Sequence, residues 1–443
     1  MQLFGTARVN ARGHLEIGGC DSVDLVREFG TPLYVLDEDL IRSNCRQYRQ
    51  GFAAHYPSAR VAYAAKAFIT TAMAALAAEE GMDLDVVSGG EIFTALRGGF
   101  PAERMLFHGN NKSPEEIALA LDSGVGRFVV DNLHELDLLE DAAARRRLRA
   151  RILLRVTPGI EAHTHDYIRT GQVDSKFGLV LENGQAMAAV RRALSLRHVE
   201  LVGLHCHIGS QVFDLEPFAD SAGVMIRFLD QVRRETGVTL TELDLGGGLG
   251  VHYVSQDDPP TIASLTRLVS EAVRRAAEEA GYPLPTLLVE PGRSIVGEAG
   301  TTLYTVGAIK DIPGIRTYLA VDGGMGDNPR PALYGAVYQA FVANRMRQDP
   351  TSTVAVAGKC CESGDMLIHE IGLTDPHPGD ILAILSTGAY NYSMASNYNR
   401  LPRPAAVFVS GGRADLVVRR ETYEDLVALD VLPRRLSARE GVA

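Results

Sequence analysis

Short β-type runs and helical patterns alternate along this chain at a spacing that few folds accommodate. Val61-Ala-Tyr-Ala-Ala, Leu84-Asp-Val-Val, Arg104-Met-Leu-Phe-His, Arg127-Phe-Val-Val and Arg151-Ile-Leu-Leu-Arg start about 20–24 residues apart, room for one strand and one helix each. Leu201-Val-Gly-Leu-His, Glu242-Leu-Asp-Leu and Thr286-Leu-Leu-Val bring the series to eight. Stretches between them, such as 70–80, 89–98, 113–123 and 132–148, carry helical periodicity. Eight βα units in about 250 residues predict a (β/α)8 barrel. A doubly wound sheet is the alternative this pattern leaves open.

After residue 298 the texture changes. Thr302-Leu-Tyr-Thr-Val, Thr317-Tyr-Leu-Ala-Val, Thr353-Val-Ala-Val, Ile381-Leu-Ala-Ile-Leu, Ala406-Val-Phe-Val and Asp415-Leu-Val-Val-Arg are separated by turns with few long helices. That pattern predicts a mostly antiparallel β domain. Leu15-Glu-Ile and Leu33-Tyr-Val-Leu are expected to join it. The division is then a barrel over 39–297 and a β domain built from 1–38 together with 298–443. The polar stretch 157–178 reads as a lid or an irregular loop.

Composition narrows the function. Of 443 residues 46% are apolar and 22% charged, as in an ordinary globular protein, and the net charge is −11. An acidic surface repels phosphate backbones and anionic lipid, which argues against nucleic-acid and membrane-surface roles. No apolar run reaches the roughly 18–20 residues of a membrane helix, and no signal peptide is visible at the start. Five sparse cysteines suggest reduced thiols and a cytoplasmic setting.

In a barrel, chemistry gathers at the carboxyl ends of the strands. Reading those ends gives Lys66, Ser88, His108, Asp131, Arg155, His205-Cys-His207, Gly246-Gly247-Gly248 and Glu290-Pro-Gly292-Arg293. A lysine at an apolar strand end loses hydration, which lowers its pKa and favours a Schiff base; a snorkelling lysine is the plain alternative. The glycine run offers backbone N–H groups to a phosphate or makes a tight turn. Gly292 and Arg293 on the next strand end strengthen the phosphate reading, and His207-Ile-Gly-Ser210 adds a hydroxyl. A Schiff-base lysine beside a phosphate site points to pyridoxal 5'-phosphate. Glu290 could then face the pyridine nitrogen and His207 the ring. His205 and His207, two apart on a strand, are also a possible metal pair, although no further ligand set is spelled out nearby.

In the C-terminal part, Cys360-Cys361-Glu362 fits proton delivery and ammonium binding, or a turn with buried thiols. Arg330-Pro-Ala-Leu-Tyr334 offers a fork for a carboxylate or a surface ion pair. Gly388-Ala-Tyr390 offers a phenol or core packing.

Taken in order, these motifs resemble the bacterial diaminopimelate decarboxylases, of the alanine-racemase-like class of pyridoxal-phosphate enzymes. The resemblance runs through Gly30-Thr-Pro-Leu-Tyr34, Tyr63-Ala-Ala-Lys66, Leu84-Asp85-Val-Val-Ser88, His108-Gly-Asn-Asn-Lys112, His205-Cys-His207-Ile-Gly-Ser210, Asp244-Leu-Gly-Gly-Gly248, Glu290-Pro-Gly-Arg293, Arg330-Pro-Ala-Leu-Tyr334, Cys361-Glu362 and Gly388-Ala-Tyr390. It implies that Lys66 bonds the cofactor, His207 stacks on it and Glu290 contacts its ring nitrogen. It places Ser210, Gly247, Gly248, Gly292, Arg293 and Tyr390 around the cofactor and its phosphate. It puts Arg293, Arg330, Tyr334, Glu362 and Tyr390 on the substrate and makes Cys361 the proton donor. It also implies a homodimer in which the Cys361-Glu362 segment serves the partner's site, with meso-diaminopimelate as substrate and L-lysine as product; no metal is expected, since no further ligand set accompanies His205 and His207. Other readings are a decarboxylase of D-lysine, D-ornithine or a carrier-bound amino acid, a non-catalytic pyridoxal-phosphate carrier, and a metal-dependent barrel hydrolase using His205 and His207.

Overall fold

The computed structural model describes residues 2–160 and 175–436. Eight parallel strands close into a barrel: Ala59–Ala64, Asp83–Val86, Met105–Phe107, Arg127–Val130, Ala150–Thr157, Val199–His205, Glu242–Asp244 and Thr286–Val289, here barrel strands one to eight. Strand four pairs with strand five, and strand eight returns to strand one with Leu287 opposite Ala59. The closed ring excludes the doubly wound sheet.

Alternation along the strands sorts the side chains. Ala62, Leu106, Val129, Leu153, Val202 and Leu288 meet inside the barrel as an apolar layer. Val61, Tyr63, Phe107, Phe128 and Val130 point outward into the core shared with the helices. At the amino end of the barrel, Arg60 pairs with Asp83 at 2.5 Å and Arg127 with Glu242 at 2.6 Å. Two residues beyond the apolar layer, the same parity brings His108, Asp131, Arg155 and Glu290 to the carboxyl end. Strand six departs from this rule. Its register against strand five shifts between Leu201 and Gly203, and the extra residue turns both Val202 and His205 inward although they are three apart.

The surrounding helices follow the sequence signals. Ile262–Ala280 buries Ile262, Leu265, Val269, Val273 and Ala277 at helical spacing; Thr261 caps its start and the left-handed Gly281 ends it.

The second sheet has nine strands. Its long strand Gly300–Ile312 pairs antiparallel with Leu33–Asp37, Ile381–Leu385 and Arg316–Val321. Leu33–Asp37 also runs parallel to Ala405–Ser410. Its Leu33 and Val35 belong to one apolar cluster, and its Tyr34 and Leu36 to the barrel's core, so this strand is buried on both faces. Two strands of the sheet, Ala340–Val342 and Met366–Leu373, were not among the sequence expectations. Leu15–Ile17 pairs in a small three-stranded sheet with Arg8–Val9 and Cys20–Asp21, and the Leu15 N–H donates to Ala343 O at 2.7 Å. It also meets the larger sheet by packing, since Leu15 and Ile17 share a cluster with Leu33 and Leu303. Most of the stretch expected as a lid or loop, 161–174, lies outside the described residues. No helix among the described residues is long and apolar enough to cross a membrane.

Candidate active site at the barrel mouth

Lys66 stands in a single helical turn, Ala65–Ala67, at the end of strand one. Its side chain is 44% exposed, and its Nζ lies 3.6 Å from Asp85 Oδ2 on strand two. The expectation of a lowered pKa is overturned. The protein around the ammonium presses its pKa down, but Asp85 first, then Tyr390 and Glu290, more than offset this, and the amine sits above its ordinary value. The turn is fixed from the other sheet: the Tyr390 N–H donates to Ala67 O at 2.7 Å, with Tyr390 in left-handed backbone at φ 68°.

Glu290, at the end of strand eight, is buried between two imidazoles. His108 Nε2 lies 2.6 Å from Oε1 and His205 Nε2 is 3.2 Å from Oε2. Burial works against its charge, but the two histidines hold its carboxyl well below the usual carboxylate range. Burial pushes His205 down to about 4, so a neutral ring donates its Nε2–H to Glu290. Asp244 next to it moves the other way. Burial and the Glu290 charge raise it far above an ordinary aspartate, so one proton serves the two carboxyls. His108 stands at ion-pair distance from Oε1 without an aligned hydrogen bond, so each oxygen of this anionic acceptor faces an imidazole.

His205 and His207 do not act as a pair. Strand six ends at His205, and His207 turns to a different partner, its Nδ1 accepting from the Gly247 N–H at 3.3 Å. Burial first, then the charges of Lys66 and Arg155, drive the His207 pKa far down, so a neutral ring faces the cavity. His205 instead joins His108 and Glu290, their ligand-type atoms within 4.8 Å of one another. The glycine run is only partly free for a phosphate. Gly246 donates to Asp244 and Gly247 to His207, which leaves the Gly248 N–H. Close approach requires these glycines: a Cβ on Gly247 would fall 2.1 Å from the Glu290 carbonyl oxygen, and one on Gly248 2.5 Å from Gly209 O. Gly292 packs against Ala64 beneath Lys66. Ser88 caps the helix Gly89–Arg97, a structural duty.

A cavity of about 400 Å3 brings His207, Ser210, Arg293, Arg330, Tyr334 and Tyr390 together. Arg293 and Arg330 are 6% and 8% exposed. Arg293 donates to Ser210 Oγ at 2.9 Å and lies over the Tyr390 ring at 4.8 Å. Arg330 donates to Tyr338 Oη at 2.9 Å. Both donate to Tyr253, which the sequence reading missed. Among the described residues neither guanidinium has a carboxylate partner. A buried cation without its anion is costly, so the cavity is built for anionic ligands.

Cys361 and Glu362 are exposed and do not line this cavity. They sit on a turn pinned by Asp365, which accepts from the N–H groups of Met325 and Cys360, and by Asn399, which accepts from Cys361 N–H. Cys360 is the buried thiol of the two.

An accessible amine, an anionic acceptor fixed by two imidazoles, a neutral imidazole at the cavity and buried arginines awaiting anions fit a phosphorylated pyridine aldehyde. The fold and site define a barrel enzyme of the pyridoxal-dependent class, and residues 38–297 match the family described as pyridoxal-dependent decarboxylase, pyridoxal binding domain. The chain is 54% identical over 431 residues to the diaminopimelate decarboxylase of Bacillus subtilis, covering 97% of this chain and 98% of that one. It superposes on the diaminopimelate decarboxylase of M. jannaschii in complex with L-lysine with a TM-score of 0.89 and 36% identity, covering 97% and 99%. The Helicobacter pylori enzyme, also complexed with L-lysine, gives 0.84 and 32%, covering 92% and 99%. The chain belongs to the diaminopimelate decarboxylase family, and its cofactor is pyridoxal phosphate.

Proposed function

We propose that this chain decarboxylates meso-2,6-diaminopimelate to L-lysine and CO2, the last step of lysine biosynthesis, as a cytoplasmic homodimer. The observation that carries this reading is the pair of buried arginines at the cavity, neither paired with a carboxylate among the described residues, together with an accessible lysine. A substrate with a carboxylate at each end, together with a phosphorylated cofactor, supplies the anions they lack.

The bound cofactor supplies an electron sink for the carbanion left when CO2 departs. Lys66 would hold it through the ε-amine, with His207 against the ring and Glu290 keeping its nitrogen protonated. Ser210, Gly248, Gly292 and Arg293 would hold the phosphate. Arg293, Arg330, Tyr334 and Tyr390 then face the substrate, and a guanidinium takes its distal carboxylate bidentately. A substrate lacking that group leaves an arginine buried and unpaired, at a cost of about 1–3 kcal/mol or more. The exposed Cys361-Glu362 turn, outside its own chain's cavity, suits a site completed by a second copy: Glu362 on the distal ammonium, Cys361 delivering the proton. The working division is a barrel domain at 39–297 and a β domain from 1–38 with 298–443.

Supplying meso-diaminopimelate, D-lysine and D-ornithine separately, while measuring CO2 and the chirality of the product, tests the reading. Turnover of meso-diaminopimelate about tenfold to a hundredfold or more above the others is expected. Preference for D-lysine or D-ornithine would overturn it.

A further inference from the structure

The geometry points to Tyr253 as a positioning residue that couples the cofactor-phosphate side of the site to the substrate-carboxylate side; this deepens the decarboxylase reading and rests on it. Tyr253 lies in the loop after barrel strand seven, and its ring is buried in the core of the second sheet with Tyr304 and Tyr338. Its hydroxyl oxygen accepts from Arg293 at 2.5 Å and from Arg330 at 2.8 Å. The ring stands edge-on to Tyr338 at 5.3 Å. Its backbone is held at both ends: the N–H donates to Asp257 Oδ2 at 2.8 Å, and the carbonyl accepts from the Gln339 N–H at 3.2 Å.

A phenol oxygen has two lone pairs, and here both meet cations. The two guanidinium groups reach it from different parts of the chain, Arg293 from the end of strand eight and Arg330 from the helix Arg330–Tyr334 packed under the second sheet. Like charges this close repel, and the oxygen between them offsets that repulsion while fixing their separation. Tyr338 bonds only the second arginine. Loss of the Tyr253 hydroxyl therefore disturbs two ligand sites at once, whereas loss of the Tyr338 hydroxyl disturbs one.

The test compares Tyr253→Phe with Tyr338→Phe in the holoenzyme. The dissociation constant of pyridoxal phosphate is read by visible absorbance on titrating the apoprotein, and KM and kcat are read with meso-diaminopimelate. Tyr253→Phe is expected to raise both the cofactor constant and KM about tenfold, with kcat at saturation within about threefold. Tyr338→Phe is expected to raise KM alone. If the phenylalanine form does not fold, Tyr253→His, which keeps a ring against Tyr338 and moves the acceptor, is read in the same assays. A variant with both constants within twofold of wild type, or with only one of them changed, overturns the inference, whatever its melting temperature. The cofactor constant needs no substrate. A wild-type protein that releases no CO2 from meso-diaminopimelate thus defeats the decarboxylase reading separately from the role of Tyr253.

Discussion

The Lys66 ammonium lies 3.6 Å from the Asp85 carboxylate, and this pairing holds the amine's pKa up against the lowering by the surrounding protein. On the proposed reading, the amine that bonds the cofactor is thereby held protonated in the cofactor-free site. Asp85→Asn removes the largest charge favouring the ammonium, so Lys66 should titrate lower. The rate at which apoprotein takes up pyridoxal phosphate, followed by absorbance, is expected to reach half its maximum at lower pH than in wild type. An unchanged profile, or a shift upward, would show that Asp85 does not govern the lysine.

Glu290 is kept anionic by His108 at one oxygen and His205 at the other. Glu290→Gln keeps the shape and removes the charge. We expect kcat to fall about a hundredfold or more, with KM within a few-fold, because the lost interaction matters when negative charge spreads into the ring. Steady-state kinetics decide this; a pure KM effect contradicts the assignment.

Asp327 carries a pH effect on stability. Burial, with Asp365 and Asp322 nearby, raises its carboxyl to about 7, against the bonds from Tyr304 and the Gly324 N–H. The unfolded chain releases this proton near about pH 4 and the folded one near 7. Between those values the unfolded state binds fewer protons, so this group costs stability as pH rises, at up to about 1.4 kcal/mol per pH unit. Asp327→Asn mimics the neutral form and lacks this slope. Denaturant unfolding at pH 5 and pH 8 should show the variant gaining on wild type at the higher pH; parallel behaviour would contradict the shift.

The barrel was legible because its information is local. Each strand is a short apolar run, and each helix has its own period and caps, as Thr261 and Gly281 show. The placement of Lys66, His108, Asp131, Arg155 and Glu290 at the strand ends was legible for the same reason. The bulge in strand six was not: a one-residue shift in register leaves no mark in Leu201-Val-Gly-Leu-His, yet it sends His205 to Glu290 rather than alongside His207. The His108–Glu290–His205 cluster draws on three strands far apart in sequence, so no spacing announces it. Tyr253 follows the Gly246–Leu249 turn by a few residues and reads as an ordinary buried aromatic until the two arginines are placed beside it. Met366–Leu373 was missed because His369 and Glu370 interrupt its alternation.

The exposed position of Cys361 makes a prediction about assembly. A Lys66→Ala chain and a Cys361→Ala chain should each be inactive alone. Mixed and allowed to exchange, they should recover up to about a quarter of wild-type activity, because in a random mixture half the dimers are hybrids with one intact site of two. Hybrid dimers demonstrated by mass spectrometry without any recovery would place both residues in the same chain's site.

The most direct measurement of the central claim is borohydride reduction of the purified, cofactor-loaded protein followed by peptide mapping. A pyridoxyl group fixed on the ε-nitrogen of Lys66, with the yellow colour lost on reduction, is the expected result. A label on Lys112, Lys176, Lys310 or Lys359 instead, or no label on a protein that still releases CO2, would contradict it.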